Sequence, residues 1–152
     1  MSTPETVLAF DFGLRRIGIA SGDSVTQSAA PRPAALTGPA GPDWGAIARE
    51  VNALRPARLV VGAPYNVDGS EGAITQAARA FAAELKTRFA LPVHLVDERF
   101  SSLEATAALR HARESGTRRR RVAKSDIDSA AAAVILTRWF RGEGRDVKDL
   151  SP

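Results

Sequence analysis

Three acids stand where a phosphodiester-cleaving site would need them. Asp11 closes the apolar run Val7-Leu8-Ala9-Phe10, Glu98 follows the run Val93 to Val96, and Asp128 sits near the start of a long Ala-rich segment. Strand side chains alternate, so Val7 and Ala9 share the face of Asp11 while Leu8, Phe10 and Phe12 take the other. Both faces are apolar, which predicts a strand covered on both sides. An unpaired carboxylate there is costly, and a bound cation is one way to relieve it. Hard divalent cations take carboxylate oxygens, and two of them about 3.5–4 Å apart can activate water and stabilise a leaving oxygen. Each acid also has a plainer reading. Asp11 could cap the turn that follows, Asp128 could complete a capping box with Ser125, and Arg99 could pair with Asp97 or Glu98. Asp97 and Glu98 are adjacent, so a continuing strand sends them to opposite faces, and the residues alone do not decide which turns inward. Ala132, Ile135 and Trp139 lie at i+4, i+7 and i+11 from Asp128, an apolar stripe that points Asp128 toward the core; Asp126 points elsewhere.

Groups that could hold a phosphate backbone accompany the acids. The segment from Gly62 to Ser70 joins a buried strand to a helix, with glycines that permit close approach. It lacks the Gly-Lys-Ser/Thr ending of a Walker A loop, and a plain turn capped by Ser70 is the alternative. Arg118-Arg119-Arg120-Arg121 is the densest charge run, just ahead of the Asp128 segment. It reads as a phosphate grip or as a solvated loop. His94 and His111 are isolated and read as structural rather than as metal ligands.

The elements that must position these groups follow from hydrophobic period and punctuation. Residues 7–12 and 17–22 form a hairpin about the turn Gly13-Leu14-Arg15-Arg16, and the glycines of the second strand point to close backbone approach or a bulge. A third strand falls within residues 26–36, where Pro31 and Pro33 confine it to an edge or a bulge, or move its boundaries. Gly38 to Pro42 breaks the chain and Asp43 caps a helix whose stripe is Trp44, Ile47, Ala48, Val51 and Leu54, ended by Pro56. Leu59-Val60-Val61 is a buried strand. Ile74, Ala77, Ala78, Phe81, Leu85 and Phe89 mark a second helix, and Val93 to Val96 a fifth strand. Ser101 and Glu104 have capping-box spacing for a helix from about residue 102. Residues 113–124 read as a basic loop, residues 126–140 as a last helix, and residues 143–152 as a frayed tail. The whole is one domain over residues 1–152, an α/β fold with a mixed five-stranded sheet: three antiparallel strands, then parallel additions, flanked by helices. Sites in such sheets gather at the carboxyl ends of the parallel strands.

Composition agrees with a nucleic-acid partner. Of 152 residues, 21 are Lys or Arg against 17 Asp or Glu, a formal charge of +4, with no cysteine. That excludes disulfides and thiolate zinc sites and fits a reducing compartment. No apolar run reaches the roughly 20 residues of a membrane helix, and the first residues lack a secretion signal, so a cytoplasmic location is expected. The aromatics sit mostly at core spacing, which does not favour base stacking.

Four segments together resemble the YqgF (RuvX) family, pre-16S rRNA nucleases related to Holliday junction resolvases. They are Leu8-Ala9-Phe10-Asp11-Phe12-Gly13 with Arg16-Ile17-Gly18-Ile19-Ala20; Val60 to Gly69; Val96-Asp97-Glu98-Arg99-Phe100-Ser101-Ser102; and Asp128 to Leu136. The family usually shows Thr near Ser102, and Ser keeps the hydroxyl. The resemblance implies an RNase H-like fold and a nuclease dependent on Mg²⁺ or Mn²⁺, with Asp11, Glu98 and Asp128 as catalytic and metal-binding residues; it alone prefers Glu98 to Asp97. The expected substrate is structured RNA, with processing of the 5′ end of precursor 16S rRNA, and the expected products carry a 5′-phosphate and a 3′-hydroxyl. Arg15, Arg16, Asn66, Arg99, Arg118, Arg119, Arg120, Arg121 and Lys124 are the expected nucleic-acid contacts. Competing readings are a dimeric resolvase of four-way DNA junctions and a non-catalytic RNA-binding factor. Asp11-Phe12-Gly13 with Gly18 and Ala20 also resembles the first phosphate loop of actin-like ATPases, which clamp ATP between two domains. The protein is expected as a monomer or homodimer.

Overall fold

The computed structural model describes residues 4–63, 72–97, 124–142 and 145–147, and of residues 97, 124–128 and 145–147 only the backbone. The first strand, β1 (Thr6–Asp11), is the hub of the sheet. It pairs antiparallel with β2 (Arg16–Asp23), which pairs antiparallel with β3 (Ser28–Gly38). On its other side β1 pairs parallel with β5 (Arg58–Ala63), and β5 pairs parallel with β6 (Val93–Asp97). Those are the five expected strands in the expected senses. Two short pieces extend the edges: β4 (Gly41–Pro42) on the end of β3, and β7 (Arg145–Val147) antiparallel to β6. The order is β4-β3-β2-β1-β5-β6-β7. The strand β7 corrects the expectation of a frayed tail over residues 143–152, since β6 offers its outer edge to the returning chain.

Strict alternation in β1 divides the core in two. Leu8 and Phe10 join Ile17, Ile19, Leu59, Val61 and Leu95 on one face, beneath α1 (Trp44–Leu54) and α2 (Ala73–Phe89). Val7 and Ala9 join Val60 and Val96 on the other, beneath α3 (Lys124–Phe140), through Ile135 and Leu136. On the first face Phe81 meets Phe10, Phe12 and Trp44 with ring centroids 5.7, 5.3 and 5.5 Å apart, which confirms the aromatics there as core.

The helix ends follow their sequence signals in part. The Asp43 carboxylate accepts from the Ala46 N–H at 3.1 Å, the cap expected of it. Helix α2 starts after Gly72, whose N–H donates to the Thr75 hydroxyl at 3.2 Å, so Ser70 is not its cap. Helix α3 starts at Lys124 rather than Asp126, which takes Lys124 out of the basic loop and puts Ser125 inside the helix. The capping box imagined for Ser125 and Asp128 therefore does not mark the helix start. The helix expected from residue 102 and the rest of the basic loop lie outside the described residues.

Candidate nuclease site at the carboxyl edge of the sheet

Asp11 is the last residue of β1 and is half-buried. It pairs with Gly18 on β2 and with Gly62 on β5. Paired residues share a face, so both cross-strand neighbours of this carboxylate lack a side chain. Neither of these two neighbours puts a side chain on the face of Asp11. The turn beyond it is tight: a Cβ on Gly13 would lie 2.5 Å from the Arg16 carbonyl oxygen. Leu14 and Arg15 at this turn are exposed and Arg16 is half-buried. Arg16 follows the parity of Gly18, so it stands on the Asp11 face of β2, two residues nearer the turn.

A bulge lies in the same row. Pairing between β2 and β3 passes from Ile17↔Ala35 to Ile19↔Arg32, so Gly18 faces both Pro33 and Ala34. The prolines thus occupy a bulged strand whose outer edge, among the described residues, is paired only at Thr37 and Gly38, as their chemistry requires.

Helix α3 brings its first turn to this end of the sheet. Ser129 donates its hydroxyl to the Arg32 carbonyl at 2.7 Å, and Arg32 is in register with Ile19, itself opposite Phe10. At the other end, a Cβ on Gly22 would lie 2.8 Å from both Leu136 and Phe140, and Gly22 is opposite Val7. The His94 and Trp139 rings are 5.2 Å apart near the start of β6. The helix therefore runs antiparallel to β1, with its N-terminal turn at the carboxyl edge. Asp128 occupies that turn, on the stripe of Ala132 and Ile135, both fully buried.

The sequence-derived site divides as follows. Asp11, Arg15 and Arg16 lie together at the end of β1, and Asp128 and Lys124 belong to the helical turn at the same edge. Asp97 ends β6, in register with Ala63. Glu98, Asn66, Arg99 and Arg118 to Arg121 lie outside the described residues. Among the described residues no three His, Asp or Glu side chains form a metal-binding group. His94 reads as a structural residue: its Nε2 lies 3.3 Å from the Arg58 guanidinium and its ring against Trp139. The sequence reading did not single out Ser129, which is 3% exposed. The available signal was a hydroxyl within the run Ser129-Ala130-Ala131-Ala132-Ala133, on the sheet-facing side of the helix.

An ion pair is described on the opposite, α1-covered face of the sheet. The Arg32 Nε donates to Glu50 at 2.6 Å, joining β3 to α1. The hydrogen bond and charge of Glu50 hold the Arg32 pKa above its ordinary value, so this guanidinium stays charged throughout the working range. No described helix is long and apolar enough to cross a membrane.

Comparison with known proteins bears out the resemblance. A family model described as "RuvX: Holliday junction resolvase" matches residues 5–142. A protein of Edwardsiella ictaluri named "Putative pre-16S rRNA nuclease" is 43% identical over 142 residues, covering 93% of this chain and 99% of its own. Proteins of the same name from Legionella pneumophila (strain Philadelphia 1) and Xanthomonas campestris (strain B100) are 45% and 46% identical, covering 88% and 89% of this chain and 94% and 86% of theirs. Among solved structures, Thermus thermophilus RuvC in complex with a Holliday junction substrate superposes with a TM-score of 0.52 at 18% identity, covering 94% of this chain and 99% of that one. That likeness establishes a shared fold, the RNase H-like architecture expected from the sequence.

Proposed function

This chain belongs to the RuvX family, and from that premise we propose that it is a divalent-metal-dependent endonuclease of structured RNA, processing the 5′ end of precursor 16S rRNA. The observation that carries the reading is Asp11 at the carboxyl end of two parallel strands, with glycine on both sides in register. Glycine on both sides lets an ion and a phosphate approach this carboxylate closely, which a site needs and a merely structural carboxylate does not.

The donor set fits a hard cation. Asp11, Glu98 and Asp128 offer carboxylate oxygens and no soft ligand competes, since the chain has no cysteine. The family resemblance is the ground for preferring Glu98 to Asp97. Mg²⁺ or Mn²⁺, as one ion or a pair, would supply a nucleophilic water at neutral pH and charge stabilisation on the phosphate. The protein's part is to gather the acids at one edge and to hold the backbone in line. Arg15 and Arg16 at the β1–β2 turn, with Asn66, Arg99, Arg118 to Arg121 and Lys124, are the groups for that grip. This function fits a cytoplasmic protein.

The test is cleavage of a labelled precursor rRNA 5′ region, beside a four-way DNA junction, by wild type and Asp11→Asn with Mg²⁺ or Mn²⁺. Loss of several kcal/mol of charge stabilisation predicts a fall of about 10²-fold or more in the variant. Undiminished cleavage by Asp11→Asn rejects the mechanism. Preference for the junction, with paired symmetric cuts, would replace the RNA assignment by a resolvase, and RNA binding without turnover would make the protein a binding factor.

A further inference from the structure

Helix α3 is fastened to the sheet unevenly. Toward its C-terminus it carries Ile135, Leu136, Trp139 and Phe140, large side chains that interlock with Val7, Ala9, Val60 and Val96. Toward its N-terminus the sheet-facing positions are Ser129, Ala131 and Ala132. Alanines slide and rotate over one another with little steric resistance, so they do not fix the phase of a helix. Among the described residues one directional contact ties that half to the sheet. The buried Ser129 hydroxyl donates to the Arg32 carbonyl at 2.7 Å. Arg32 borders the bulge opposite Gly18, the residue paired with Asp11. Its side chain is held in turn by Glu50 of α1, through Nε at 2.6 Å and Nη2 at 3.4 Å.

We propose that Ser129 is a positioning residue: its hydrogen bond to the bulged strand sets the rotation and height of the first turn of α3, and thereby the distance of Asp128 from Asp11. The inference rests on the nuclease reading above, in which both acids hold the cation. One residue along a helix is a turn of 100° and a rise of 1.5 Å, so a small slip at Ser129 carries its neighbour out of reach of a shared ion. Misplacement of about 1 Å at a reacting centre can cost on the order of 10²-fold in rate. The contact is a buried polar bond beside the apolar Ala131, Ala132, Ile135 and Leu136, and it lies at the chemical end of the helix rather than at its anchored end. The second described side-chain hydroxyl on α3, Thr137, donates to Ala133 within the same helix at 2.9 Å. It does nothing to register the helix on the sheet, which makes it the internal control.

The experiment measures Mn²⁺ affinity by titration calorimetry on the full chain, with thermal unfolding of each metal-free protein alongside. The variants are Ser129→Ala, Ser129→Thr, Thr137→Ala and Asp128→Asn. Displacement of a metal ligand by loss of the bond that positions it predicts a drop in Mn²⁺ affinity of about 10-fold or more in Ser129→Ala. Ser129→Thr restores most of it, and Thr137→Ala leaves it at the wild-type value. Ser129→Cys keeps the size of the side chain and is the substitute should Ser129→Ala fail to fold; it predicts the same direction of change. If Ser129→Ala or Ser129→Cys folds with lowered thermal stability but unchanged Mn²⁺ affinity, Ser129 is merely structural and the proposal is overturned. Asp128→Asn separates the two layers. If it leaves Mn²⁺ binding intact, the nuclease site itself has been misassigned. If it abolishes binding while Ser129→Ala does not, the positioning inference alone fails.

Discussion

Gly22→Ala should destabilise the protein through the seam between the hairpin and α3. Gly22 has no left-handed φ, so a side chain there is resisted by space alone. The added Cβ would lie 2.5 Å from the Ser28 carbonyl oxygen and 2.8 Å from both a Leu136 methyl and a Phe140 ring carbon. The two side chains can give way, but the carbonyl belongs to the β2–β3 ladder, where Gly22 is opposite Ala29. Overpacking of this kind costs about 1–3 kcal/mol. The reduced freedom of the unfolded chain returns about 0.4–1 kcal/mol, leaving a net loss of about 1–2 kcal/mol. For a chain of this size that lowers Tm by about 2–8 °C. Thermal and urea unfolding followed by tryptophan fluorescence would measure it, since Trp139 lies one turn from Leu136. Gly38→Ala is the matched comparison: nothing lies within 4 Å of the Cβ added there, so it should be neutral or stabilising by about 0.4–1 kcal/mol. A Gly22→Ala protein as stable as Gly38→Ala would refute the claim that hairpin and helix meet too closely for a methyl group.

Three further outcomes follow from the same geometry. Phe81→Ala removes a ring packed on Phe10, Phe12 and Trp44 and should cost about 3–5 kcal/mol in denaturant unfolding; a loss under about 1 kcal/mol would mean the cluster is not the centre of that core. Arg15→Ala, at an exposed position beside Asp11, should weaken RNA binding and reduce the dependence of log K on log salt by about 1, whereas an unchanged slope would remove Arg15 from the phosphate grip. Truncation after Gly142 strips β7 from β6 and exposes an unpaired edge. Light scattering at matched concentration should rise, and an indifferent truncation would show β7 to be dispensable for protecting that edge.

What could be read beforehand was whatever is written locally. The alternation of Val7 and Ala9 against Leu8 and Phe10 announces a strand covered on both faces, and each set lies in its own core. Asp43 before Trp44 announces a capped helix. Pro31 and Pro33 announce an outer, bulged strand because proline cannot serve an inner ladder. The misreadings concern structure that depends on distant partners. Arg145–Val147 has no alternation of its own and becomes a strand because β6 presents an edge some fifty residues earlier in the chain. The polar first turn of α3 carries no hydrophobic period, so its start at Lys124 was hidden. Asp11 was legible as a chemical residue because a carboxylate ends an apolar run. The glycines on either side of it were visible too, but their meaning required the register that sets Gly18 and Gly62 opposite it. Ser129 was illegible for the same reason, since its partner is the Arg32 carbonyl, 97 residues away.

The two ends of the parallel strands are built from different materials. At the amino end, Arg58 pairs with Glu5 at 3.0 Å and meets His94 at 3.3 Å. The rings of His94, Trp139 and Phe140 follow one another, and Ala57 and Leu59 donate backbone hydrogen bonds to Thr6 and Pro92 at 2.8 and 2.9 Å. At the carboxyl end stand Asp11, Gly18 and Gly62, on the face covered by α3, whose described buried positions in its N-terminal half are Ser129, Ala131 and Ala132. The described directional bond at that end of α3 runs from Ser129 to the strand that carries the bulge, and it is through this bond that the helix is proposed to hold the position of Asp128.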